Sequence, residues 1–116
     1  MSKIRIYHNT RCSKSRETLA LLENQQHDIE IIDYLNTPPT TDELTVVLQL
    51  LNMRPRQLMR SKETLYKELQ LDNAKLSDQQ LIEIMCANPK LIERPIVIKD
   101  DQAIIGRPPE AVLNIL

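Results

Sequence analysis

Apolar and polar residues alternate through KIRIYH, where Ile4 and Ile6 share a face, and this pattern predicts a first strand. SKSRETLALLENQQ then changes to helical spacing, with Leu19 and Leu22 on one side, and DIEIIDYL returns to a β-branched run. Strand, helix and strand in that order predict a right-handed βαβ unit with parallel strands. Its first loop, at the carboxyl end of the first strand, holds Cys12.

The middle of the chain predicts helices. In TPPTTDELTVVLQLLN, Thr40 and Glu43 have capping-box spacing, and Leu44, Val47, Leu48 and Leu51 follow at i, i+3, i+4 and i+7. RPRQLMRSKETLYKELQL predicts one or two short helices, with Pro55 tolerated in a first turn. SDQQLIEIMCAN repeats the box at Ser77 and Gln80, turns Ile82, Met85 and Cys86 inward, and meets a stop at Pro89. PIVIKD and QAIIG, a few polar residues apart, predict a hairpin, and RPPEAVLNIL a short closing helix. The expected order is β-α-β, a helical insert, then β-β-α, with no repeat or interdomain linker.

A chain of 116 residues has room for one core, so a single active surface is expected. Aromatic residues are 3 % of the chain, which makes that core aliphatic. The net charge of -1 excludes a global basic field for nucleic acid or anionic lipid. Locally the balance differs: Lys3, Arg5, Arg11, Lys14 and Arg16 precede the first acidic residue, Glu17, and surround Cys12. The start MSKIRIYHNT has no secretory pattern, and no segment approaches the ~18 apolar residues of a membrane span, so a cytoplasmic location is expected. In that reducing compartment a Cys12–Cys86 disulfide is disfavoured, and the chain has too few soft ligands for a metal site. Cys86 reads most simply as a small core residue, the alternative being a resolving thiol.

Cys12 is the candidate nucleophile. An unperturbed thiol near pKa ~8.5 is only about 3 % ionised at neutral pH, so its surroundings decide its reactivity. Helix-start amides and the helix dipole favour an anion there, and the nearby cations act in the same direction. Ser13 and Ser15 can donate to the sulfur, and His8 can approach it across the loop. The plainer alternative makes Cys12 an incidental loop residue and His8 a hydrogen-bonding residue at a strand end. Ser15 stands where a Cys-x-x-Cys motif would have its second thiol, which points to a monothiol enzyme completed by an external thiol. Arg60, Arg94 and Arg107 lie where loops meet regular elements. Each alone reads as surface charge; gathered at one rim they could hold a compact oxyanion. Arg94–Pro95, just before a strand, suits a cis peptide.

The motifs HNTRCSKSR, YLNTPPTTDEL, LMRSKETLYKEL, IERPIVI and GRPPEAVLNIL together resemble the glutaredoxin-coupled arsenate reductase family over essentially the whole chain. The resemblance implies an α/β fold, a thioredoxin-like β-α-β / β-β-α core of about 1–36 and 91–116 with a helical insertion of about 37–90. It implies Cys12 as nucleophile, His8 and Ser15 tuning or positioning it, and Arg60, Arg94 and Arg107 as oxyanion arginines. Arg16 would support the site, and Pro95 would match that fold's cis proline. It also implies arsenate as substrate, glutathione as co-substrate and glutaredoxin as partner, with no bound cofactor, no nucleic acid and no membrane. A monomer is expected. The position after the nucleophile, often Gly in the best-matched arsenate reductases, is Ser13 here, followed by Lys14.

Two other readings are open on the same residues. One is a glutathione-dependent thiol reductase acting on another oxyanion or on disulfides. The other is an Spx-type regulator that binds RNA polymerase; those regulators commonly have Cys-x-x-Cys, and His8 and Arg107 favour the reductase pattern.

Overall fold

The computed structural model describes residues 3–25 and 28–116. The chain forms two compact units, one made of the residues up to Thr37 with Arg94–Leu116, the other of Pro38–Glu93.

In the first unit, β1 (Lys3–Tyr7) leads to α1 (Ser13–Asn24) and β2 (Asp28–Ile32), and β3 (Ile96–Lys99) and β4 (Gln102–Ile105) follow the insertion. A 3-10 helix, Pro109–Ile115, takes the place of the closing α-helix. The four strands lie in the order β2-β1-β3-β4. β1 pairs with β2 in parallel, from Lys3 opposite Asp28 to Tyr7 opposite Ile32, and with β3 antiparallel, Ile6 opposite Val97. The β3–β4 hairpin is antiparallel, as its two apolar runs predict. The end of the first predicted helix, at Gln26, lies outside the described residues.

Period-two alternation sorts β1: Ile4 and Ile6 are wholly buried, while Lys3 and Arg5 face outward. β3 lies between two neighbours, and Ile96, Val97 and Ile98 are all buried, as suits an inner strand covered on both faces. Ile4, Ile6, Leu22, Val97 and Val112 form one cluster, against which Leu19 and Ile104 pack. At ~25 cal/mol per Å² of apolar surface, each of the five wholly buried side chains contributes about 1.5–3 kcal/mol. Tyr7 stacks on Tyr34, with ring centroids 6.3 Å apart.

The second unit comprises α2 (Thr41–Leu51), α3 (Pro55–Leu58), α4 (Thr64–Glu68), α5 (Asp78–Ala87) and a 3-10 turn at Pro89–Leu91. Both capping boxes form: Thr40 and Glu43 exchange hydrogen bonds at the start of α2, as Ser77 and Gln80 do at α5. Pro55 occupies the first turn of α3. Leu44, Val47 and Leu48 are buried, whereas Leu51 at the end of α2 is only half-buried. On α5 the buried face is Leu81, Ile82 and Met85. Cys86, expected inside, is half-buried.

Candidate active site

The sheet delivers the loop that holds Cys12. After β1, the His8 amide donates to the Ile32 carbonyl at 2.9 Å and extends the pairing with β2 by one residue. The chain then turns sharply. Asn9 Oδ1 accepts from the Arg11 amide at 3.0 Å, the Asn9 carbonyl accepts from the Cys12 amide at 3.0 Å, and Arg16 Nη1 clamps the Thr10 carbonyl at 2.8 Å. Cys12, with φ −97° and ψ 121°, is the N-cap of α1. Its side chain therefore stands where a serine or aspartate oxygen would meet the first free amides of a helix. The sulfur makes no fully aligned cap hydrogen bond, and no acidic residue lies in the first turn.

Cys12 is buried, 9 % exposed. Burial by itself pushes its pKa up, and this is the largest single influence. The main-chain N–H of Ser15, a hydrogen bond and the positive charge from Arg94, and the N–H of Lys14 together outweigh burial and bring the thiol below its ordinary value. Arg107 adds a contact, Nη2 to Sγ at 3.6 Å, while its Nε donates to the Arg94 carbonyl at 2.8 Å. Two guanidinium groups from the segments flanking β3 and β4 thus meet the sulfur at the mouth of α1. This arrangement can hold a thiolate and an incoming anion together.

The route by which the surroundings act differs from the one the sequence suggests. Ser15 reaches the sulfur through its main chain, because its hydroxyl points elsewhere: Oγ accepts from the Asn9 amide at 3.0 Å and pairs with His8 Nδ1 at 2.6 Å. Ser15 is wholly buried and His8 is 5 % exposed. Burial lowers the pKa of His8, Arg16 adds to this, and Asp33 opposes it. His8 and Ser15 thus form a buried pair beneath the loop. Three of the five N-terminal cations are engaged away from the sulfur: Lys14 with Glu17 at 3.8 Å, Lys3 with Glu30 at 3.4 Å, and Arg16 with Thr10. The charge that lowers the thiol comes from Arg94.

Arg60 belongs to the second unit. Leu58–Arg60 runs antiparallel to Leu91–Glu93, through Glu93 N–H to the Leu58 carbonyl at 2.9 Å and Arg60 N–H to the Leu91 carbonyl at 2.8 Å. Arg60 Nη1 meets Glu93 at 2.6 Å and its Nε meets Glu63 at 3.3 Å. The bond between Arg94 and Pro95 is cis, and so is that between Arg107 and Pro108, which the sequence reading leaves unmarked. Pro95 is buried beside Gly106, whose amide donates to the Pro95 carbonyl at 3.0 Å. A Cβ on Gly106 would lie 2.5 Å from Thr18 Oγ1 and 2.9 Å from Pro95 Cγ. A side chain here would force Thr18 or Pro95 to shift, and Arg107 follows directly. Asn9, Thr18 and Gly106 are the parts of the site that sequence reasoning missed. Gly106, as the only glycine in the chain, was the available signal.

Both cysteines are free thiols. On Cys86, burial and then the neighbouring Glu43 raise the pKa, which disfavours its thiolate. Among the described residues no group of three His, Cys, Asp or Glu side chains is assembled for a metal, and no helix is long and apolar enough to cross a membrane.

Comparison with known proteins places this geometry in a lineage. The uncharacterised protein YfgD of Escherichia coli K12 is 52 % identical over 115 residues, covering 98 % of this chain and 97 % of YfgD. The arsenate reductase of Haemophilus influenzae is 52 % identical over 112 residues, covering 96 % of this chain and 97 % of that protein. The solved arsenate reductase from Vibrio cholerae superposes with a TM-score of 0.96 at 55 % identity, over 98 % of both chains. The family model described as the ArsC family matches residues 7–115. With near-complete coverage in sequence and structure, and the thioredoxin-like α/β fold that the motifs imply, the chain belongs to the ArsC family.

Proposed function

We propose that this chain reduces arsenate to arsenite with glutathione and glutaredoxin, using Cys12 as nucleophile. The observation that supports this reading most directly is the Cys12 sulfur, set at the mouth of α1 with its pKa lowered and faced by Arg94 and Arg107. The arsenate reductases among its relatives make arsenate the first substrate to test.

In the proposed cycle the thiolate displaces an oxygen of arsenate, an S–As bond forms and water leaves. Arg94, Arg107 and, by resemblance, Arg60 stabilise the anionic adduct. Glutathione then attacks the Cys12 sulfur, forming an S–S bond as the S–As bond breaks. The bonding pair goes to arsenic, which leaves as arsenite. A glutaredoxin thiol removes the glutathione and restores Cys12. Two thiols are oxidised to one disulfide for each As(V) reduced to As(III). His8 and Ser15 position the loop, Arg16 clamps it, and Pro95 shapes the rim beside Gly106. No bound cofactor enters the cycle. Its need for reduced glutathione suits the cytoplasm, and because Cys12, Arg94 and Arg107 come from one chain, a monomer suffices.

Mass spectrometry of Cys12 after incubation with glutathione, with and without arsenate and with glutaredoxin omitted, tests the cycle. A glutathione adduct on Cys12 that forms only with arsenate is the expected result. An unmodified Cys12 in both samples contradicts the reading, and an adduct without arsenate shifts it to a thiol reductase of another substrate.

A further inference from the structure

Asn9 is buried, 8 % exposed, and three of its groups are engaged around the nucleophile. Oδ1 accepts from the Arg11 amide, closing a local turn; the carbonyl accepts from the Cys12 amide; and the Asn9 amide donates to the wholly buried Ser15 hydroxyl. One residue is thereby tied to the residue that bears the sulfur and to the one whose amide faces it. The geometry points to Asn9 as a positioning residue for Cys12: its side-chain oxygen fixes the turn that seats the sulfur at the amides of Ser15 and Lys14. This role rests on the reading of Cys12 as the nucleophile.

The residue type suits the task. Asparagine, aspartate and serine can each accept from an amide two residues on, but aspartate would place a negative charge within the loop and disfavour a thiolate. Asparagine supplies the acceptor without the charge. Within the first unit, Arg94 and Arg107 are the charged groups at the sulfur, and His8 lies on the far side of the Ser15 hydroxyl, with Arg16 and Asp33 acting on it. Loosening the turn leaves those cations in place and removes the alignment of the amides.

The test is the pH profile of iodoacetamide alkylation at Cys12, read by peptide mass spectrometry so that Cys86 is counted separately, in wild type, Asn9→Ala and Asn9→Ser. Asn9→Ala moves the profile to higher pH; a rise of about one unit slows alkylation about tenfold below the pKa. Asn9→Ser, which retains an acceptor, lies nearer the wild type. A folded Asn9→Ala protein with the wild-type profile, or a serine variant indistinguishable from alanine, overturns the proposal. Amide hydrogen exchange in the wild type provides a second reading if the alanine variant does not fold: slow exchange at Arg11 and Cys12 is expected, and free exchange at both overturns the role. The readout needs no arsenate. Loss of arsenate turnover with these profiles intact removes the substrate assignment alone, whereas a wild-type Cys12 that titrates like an ordinary thiol removes the nucleophile and the role of Asn9 with it.

Discussion

Arg107 meets Cys12 with Nη2 3.6 Å from the sulfur, its guanidinium held in place by a bond from Nε to the Arg94 carbonyl. The two arginines therefore have separable duties. Arg94 lowers the thiol's pKa through charge and a hydrogen bond, while Arg107 presents a second fork toward the space an anion would enter. Arg94→Ala is expected to move the Cys12 alkylation profile to higher pH more than Arg107→Ala does. Arg107→Ala is expected to raise the KM for arsenate about tenfold to a hundredfold, the worth of a charge-assisted hydrogen bond. Identical effects of the two substitutions on both readouts would contradict this division.

Ser15 joins the loop to the helix through a hydroxyl that contacts both His8 and the Asn9 amide. Ser15→Ala leaves those two buried groups without this partner. Each unsatisfied group costs about 1–3 kcal/mol. A lower urea midpoint with an unchanged denaturant slope is the expected result, while stability equal to wild type would show that the pair is dispensable.

Burial holds the pKa of His8 below its ordinary value of 6.5. At pH below that value the unfolded chain takes up a proton that the folded chain resists, so acid favours unfolding. The stability associated with neutral His8 is complete above about pH 6.5 and falls as pH drops toward the folded-state pKa. Urea unfolding at pH 7.5 and pH 5.5 should show a steeper loss for the wild type than for His8→Gln. Equal losses would contradict burial of an uncharged imidazole.

Gly106→Ala drives a methyl group into Thr18 and Pro95. Overpacking of this kind costs about 1–3 kcal/mol, and here the strain falls beside Arg107. Reduced thermal stability together with reduced arsenate turnover is expected; a fully stable and active variant would show that α1 can move aside.

The elements were legible where local chemistry decides them. Alternation at Ile4 and Ile6, the boxes at Thr40/Glu43 and Ser77/Gln80, and the break between PIVIKD and QAIIG each depend on neighbours within a few residues. Cys12 at the start of a helix was legible for the same reason. The direction in which Ser15 points was not, because one residue offers both a hydroxyl and an amide, and the fold assigns the first to His8 and the second to the sulfur. Nor was the pairing of Arg60 with Glu93, which depends on two distant segments running side by side. The inner face of α5 keeps Ile82 and Met85 as expected, but Leu81 is buried in place of Cys86, a leucine burying more apolar surface than a thiol.

The central claim is that Cys12 carries out the reduction of arsenate. Arsenate-dependent NADPH oxidation, in the presence of glutathione, glutathione reductase and glutaredoxin, tests it most directly when wild type is compared with Cys12→Ala and each component is omitted in turn. Turnover that requires arsenate, glutaredoxin and Cys12 is the predicted result. Turnover that persists in a folded Cys12→Ala protein, or none in the wild type, would contradict it.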